Sequence, residues 1–243
     1  MSARFATPAD DALLTSIAMH PDVRRWTAHD GAPDFNPTSY TAHPRSKAIV
    51  VEGGFFALPC LEDRAYAVHT QFLPDVRCSD KVRRALEAQA FMFLNCDAEL
   101  LVTMVPDNNP QALWFAHAMG FRDTYRRAGA WKSGGEVFGV QYLSLEIEDW
   151  ILRHEPLRIL GEEFHAQLGQ PNHGHDPVHD SFVGAACALM AAGQVDKAVR
   201  IYGRWARATG YQPFVVLDDG VDIGTHVIRA DGDGFKFEEK AHA

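Results

Sequence analysis

The chain has 243 residues, 47% apolar and 23% charged, a globular balance that excludes disordered and low-complexity classes. Acidic residues number 32 against 23 basic, and the net charge of −9 has the wrong sign for general nucleic-acid coating. No apolar run reaches about 18 residues, so no membrane span is expected, and the length allows one large domain or one domain with an extension.

The opening residues MSARFATPADD lack the basic-then-apolar order of a signal peptide. Cys60, Cys78, Cys96 and Cys187 are widely spaced with no C-x-x-C, which predicts free thiols in a reducing compartment and no structural zinc.

In chain order, residues 4–8 read as a short strand. Asp10 or Asp11 then caps a helix to about His20, with Leu13, Leu14, Ile17 and Ala18 on one face. Residues 27–46, rich in Pro, Asp, Gly, Thr and His, read as an irregular loop. Lys47–Glu52, Phe55–Leu61 and Arg64–Leu73 follow, separated by Gly53-Gly54 and Glu62-Asp63, the pattern of an antiparallel meander. Asp80 is expected to cap a helix to about Leu94, and Glu99–Val105 reads as a buried strand. Pro110 suits the first helical position of a helix that Gly120 stops. Residues 121–127 and 138–147 read as two more strands, which completes a mixed α/β domain.

Beyond it, residues 149–172 read as a helix and a polar loop. Ser181–Ala192 and Asp196–Thr209 read as a helical hairpin turning at Gly193. Short strands are expected at 213–217 and 226–229, before a polar tail. The expected domains are 1–148 and 149–243.

The segment Asn109-Pro-Gln-Ala112-Leu-Trp-Phe115-Ala-His-Ala-Met-Gly120-Phe121, between two strands, resembles the last strand–helix–strand motif of the GNAT acyltransferases. The resemblance covers about residues 3–147. It implies a GNAT-like mixed α/β (α+β) sheet with flanking helices, followed here by an α-rich C-terminal extension. In that fold two central strands splay apart, and the unpaired edge of one takes the pantetheine arm of acetyl-CoA. The next helix offers its N-terminus to the pyrophosphate. By resemblance, Phe72 and Leu73 face the pantetheine, Arg77 and Ser79 lie near the pyrophosphate, and Asn109 touches the cofactor arm.

Two departures stand out. The family's phosphate loop carries glycines, which let the backbone approach closely. Here the stretch is Arg77-Cys-Ser-Asp80-Lys81-Val82-Arg83-Arg84, where Asp80 repels a phosphate and Lys81, Arg83 and Arg84 attract one. The family's tyrosine acid, seven residues after the Asn, is Ala116 here, and His117 points about 100° away on the helix. These departures weigh against acetyl-CoA as cofactor. His69 is the candidate general base, with Gln71 on its face by the period of two; the alternative for His69 is a hydrogen-bonded sheet residue. For Asn109 the alternative is simple helix capping.

A narrower resemblance joins HTQFLPDVR to the hairpin with Tyr202, Trp205, Ala206, Gly210 and Tyr211. These segments are similar to a GNAT-fold family of tailed bacteriophages. That implies a catalytically degenerate virion or virion-assembly component in the virion or infected-host cytoplasm, with other phage structural proteins as partners or as a homo-oligomer. The alternative is an active acyl-CoA-dependent N-acetyltransferase. His165, His173, His175 and His179 lie near Asp176 and Asp180 but match no metal motif. They read as a polar loop in which Asp180 caps the helix from Ser181, the alternative being a metal clip or subunit contact. No metal is assigned.

Overall fold

A computed structural model describes residues 3–168, 176–210, 216–217, 220–223, 226–232 and 234–239. The chain divides into two units, Met1–Phe93 with Ala98–Glu146, and Leu94–Asp97 with Ile147–Ala243.

The first unit opens with β1 (Arg4–Phe5), a 3-10 turn over Pro8–Asp10, and α1 (Asp11–Ala18). The turn is fixed by Asp10, whose carboxylate accepts from Thr7 N and sits 2.6 Å from the Arg4 guanidinium. Helices α2 (Pro21–Thr27) and α3 (Thr38–Thr41) lie in or beside the stretch expected to be irregular. Pro21 at the start of α2, with His20 accepting from Asp22 N, supplies its start signal.

The three expected segments form five strands, β2 (Lys47–Val51), β3 (Gly54–Leu58), β4 (Cys60–Glu62), β5 (Ala65–Ala67) and β6 (His69–Phe72). They are not the expected meander, because the second and third segments each split, β3 pairs with β6, and β4 and β5 join another sheet. Then come α4 (Cys78–Asn95), β7 (Leu100–Pro106), α5 (Pro110–Ala118), β8 (Arg122–Ser133) and β9 (Glu136–Glu146). Helix α4 starts at Cys78, so Asp80 sits in its first turn and is not its cap.

Two sheets result, in the orders β1-β2-β3-β6 and β4-β5-β7-β9-β8. One face of the first sheet carries Ala48, Val50, Phe55 and Ala57. It packs with Leu14, Ile17 and Ala18 of α1, as the 3.6-residue and 2-residue periods require.

In the second unit, α6 (Ile147–Arg153), α7 (Glu155–Gln167), α8 (Pro177–Ala191) and α9 (Val195–Thr209) precede the meander β10 (Val216–Leu217), β11 (Gly220–Asp222), β12 (His226–Asp231) and β13 (Gly234–Glu239). The tail expected to be merely polar thus supplies β13, and Phe164 contacts Phe235 and Phe237. Helices α7 and α8 meet backbone to backbone. A Cβ on Gly161 would stand 1.9 Å from Asp180 O, and one on Gly184 would stand 1.8 Å from Leu157 O.

Asp176, not Asp180, caps α8 by accepting from Val178 N. Asp180 is buried, 2.7 Å from His165 Nδ1. On α9, Tyr202, Trp205 and Ala206 are buried, and Gly210 ends the helix at φ +69°. The Trp205 ring stacks on Phe182 and His179. Tyr211, His173 and His175 lie outside the described residues. Among the described residues no helix is long and apolar enough to cross a membrane, and no group of three His, Cys, Asp or Glu can hold a metal ion.

Candidate active site

The site is built on a fork. Strand β5 runs parallel to β7, with Ala67 opposite Val102, and Val68 N donates to Val102 O at 2.8 Å. The Thr103 hydroxyl then donates to Val68 O at 3.0 Å. Beyond Val68 the chain leaves β7 and pairs with β3 alone, while Thr103–Pro106 pair with β9 on their other side.

The hydrogen-bonding parity of β6 follows from its register. Leu73 N donates to Gly53 O, and Gln71 stands opposite Phe55. His69, Gln71 and Leu73 therefore spend their backbone groups on β3. By the alternation of an antiparallel ladder, Thr70 and Phe72 turn theirs to the edge that β7 has left. Gly54 makes the close approach of β3 and β6 feasible, since a Cβ there would lie 2.4 Å from the Phe72 ring.

A cavity of about 1190 Å³ follows this fork. Of the expected site residues, His69, Phe72 and Asn109 line it, together with Gln71, Lys81 and Ala116. Leu73 packs against the α1 core instead. Arg77 and Ser79 are exposed and do not line the cavity.

The cations expected to attract a phosphate separate. Arg83 pairs with Asp80 and Glu87, and the buried Arg84 holds Glu52 through its carbonyl and carboxylate. Lys81 lines the cavity with no carboxylate in ion-pair range among the described residues. Cys78, the first residue of α4, is an exposed free thiol on the cavity wall.

Asn109 lines the cavity and caps a helix. Its Oδ1 caps α5 by accepting from Ala112 N at 3.0 Å, which leaves its amide NH2 for a ligand. Ala116 is buried where the family pattern has a tyrosine, and His117 turns away to Asp123 at 3.0 Å.

His69 has no hydrogen-bond partner for its ring among the described residues. Burial lowers its pKa, so the imidazole is neutral at pH 7 and able to accept a proton. Gln71, 7% exposed, shares its face of β6 and keeps Oε1 without a partner among the described residues.

Five further rings on the cavity wall were not anticipated from sequence. Trp26, His29, Phe35, Tyr40 and Trp131 line the cavity from α2, the following segment, α3 and β8. Asp30 ties this wall to the β8–β9 turn. Its carboxylate accepts from Gly134 N and Gly135 N at 3.0 and 2.9 Å, and Asp30 N donates to Lys132 O. The two amides hold its carboxyl below the usual range. The signal in the sequence was Asp30-Gly31 against Gly134-Gly135, but nothing local links residues this far apart.

No family model and no curated protein matches the sequence. Solved structures do. Spermidine N-acetyltransferase from Vibrio cholerae, in complex with CoA and spermine, aligns with TM-score 0.53 at 11% identity, covering 62% of this chain and 97% of that chain. A point mutant of the same enzyme aligns with TM-score 0.54 at 12% identity, covering 63% and 99%. The likeness spans nearly the whole of these enzymes and leaves the rest of this chain without a counterpart in them. Over the share they span, the chain has the mixed α/β fold of the GNAT acetyltransferases.

Proposed function

We infer that the protein is an acyl-CoA-dependent N-acyltransferase. The carrying observation is the fork at Val68, which leaves the Thr70 and Phe72 edge of β6 unpaired inside a large cavity. An extended arm with amide groups satisfies such an edge as an added strand would. Thr70 and Phe72 would hold the pantetheine of acetyl-CoA. Asn109 Nδ2 would meet its upper part, and Lys81 with the α4 N-terminus its phosphates. The acyl-CoA supplies an activated thioester carbonyl.

His69 accepts the proton that an acceptor ammonium must lose before its nitrogen can attack. The C–N bond forms as the C–S bond breaks, and the sulfur keeps the electron pair. With Ala116 in place of a tyrosine, the second proton shed by the nitrogen reaches that sulfur through water. The expected degenerate role in a phage particle finds no support in the comparisons, which are to acetyltransferases. The solved relatives named above, one of them holding CoA, favour the enzyme reading.

Cys78 gives a direct test. Maleimide labelling of the native chain should modify Cys78 readily, and saturating acetyl-CoA should slow it, with the half-buried Cys60 as internal control. Equal labelling of Cys78 with and without acetyl-CoA would contradict this placement of the cofactor.

A further inference from the structure

Building on the acyltransferase reading, we propose that the acceptor is a primary amine with an aromatic body, and not a polyamine. The wall facing the cavity from α2, α3 and β8 is built of rings. His29 meets Trp131 edge-on with centroids 5.7 Å apart, and Phe35 stacks on Tyr40 at 5.6 Å, the latter pair also packing on the α1 core. Trp26 is 45% exposed, and its ring carries the Arg25 guanidinium at 5.1 Å.

Charge is scarce by comparison. Asp22 is the single carboxylate lining the cavity among the described residues. The Arg24 guanidinium is committed to Asp34 at 3.2 Å and to Ala32 O at 3.1 Å. A polyamine carries several ammonium groups, and each one taken out of water needs its own partner. One carboxylate serves one ammonium. An aromatic body gains area burial and ring–ring contact on this wall.

The polar centre suits a single amine as well. Neutral His69 and the Gln71 carboxamide lie on one face of β6 within the same cavity. Both accept from an N–H. The Asp30 clamp holds the ring-bearing segment to the β8–β9 turn, so the aromatic wall is formed before a ligand arrives.

The test is calorimetric titration of the full chain, loaded with CoA, with 2-phenylethylamine and with spermidine. Phenylethylamine is expected to bind at least about tenfold more tightly. Trp131→Ala should remove most of that preference and Trp131→Phe should retain it, with CoA affinity and the thermal midpoint recorded as fold controls. Spermidine binding as tightly as phenylethylamine, or a preference indifferent to Trp131→Ala in a folded variant, would overturn the proposal. If CoA itself does not bind, the acyltransferase reading fails separately. Phenylethylamine titrated into the free chain then decides the aromatic wall: saturable, Trp131-dependent binding keeps it, and no binding removes it.

Discussion

The two units solve the problem of strand and helix pairing in opposite ways. In the first, the chain leaves β7 at Val68, and an edge of β6 backbone, a neutral imidazole and a carboxamide oxygen face a cavity. In the second, α7 and α8 touch through Gly161 and Gly184, and the buried Asp180 is paired with His165. Unmade pairing is costly unless something supplies it. On the proposed reading a ligand would supply the missing pairing along β6, whereas the α7–α8 crossing is filled by backbone contact.

The largest effect is expected at that crossing. Gly184→Ala places a methyl against Leu157 O, with backbone on both sides and no room to swing. It should lower stability by about 3 kcal/mol or more, read by denaturant unfolding followed through tryptophan fluorescence. Ala116→Tyr is the counterpart in the first unit. A whole phenol enters a cavity there, and the same measurement should show a far smaller loss. Equal losses in the two variants would erase the distinction between the units.

Asp180→Ala removes the carboxylate beside the buried His165 and should cost about 2 kcal/mol. Asn109→Ala should cost about 1 kcal/mol through the lost α5 cap. Asn109→Asp should restore that stability without restoring acetyl-CoA affinity, because it caps the helix but lacks the amide donor. Recovery of both would make Asn109 a cap alone.

The smallest effect is a shift along the pH axis. The folded pKa of His69 lies below its unfolded value, so its contribution to stability is full above the ordinary histidine pKa of about 6.5. That contribution is lost as pH falls through the lower, folded value. The acid limb of kcat/KM should fall in the same range below 6.5 and vanish in His69→Gln. An acid limb unchanged in that variant would remove His69 as the base.

Much of the first unit was legible because its signals are local. Gly53 turns a hairpin at φ +71° while Gly54 already belongs to β3, Pro106-Asp107 ends β7, and Asn109-Pro110 opens α5. The split of the segment Arg64–Leu73 was not legible. Whether a residue pairs with β7 or β3 depends on partners distant in sequence, and no glycine or proline marks the break at Val68. The aromatic wall was hidden for a related reason, since Asp30 finds its two amides 104 and 105 residues away.

Other misreadings had local remedies. Asp176-Pro177 is a stronger helix start than Asp180-Ser181, because proline suits the first helical position. The alternating Phe235 and Phe237 carried a period of two within a stretch that looked only polar. At the site, His69, Phe72 and Asn109 lie on the cavity wall, whereas Leu73, one residue past the end of β6, packs against the α1 core. What a residue at a strand's end packs against depends on partners distant in sequence and cannot be read along one strand.

The most direct test of the central claim, that the open edge of β6 takes an acyl-CoA arm, is calorimetric titration of the full chain with acetyl-CoA. The account predicts saturable one-to-one binding that weakens in Asn109→Asp while the fold persists. No heat of binding at saturating ligand, from a chain shown to be folded, would contradict it.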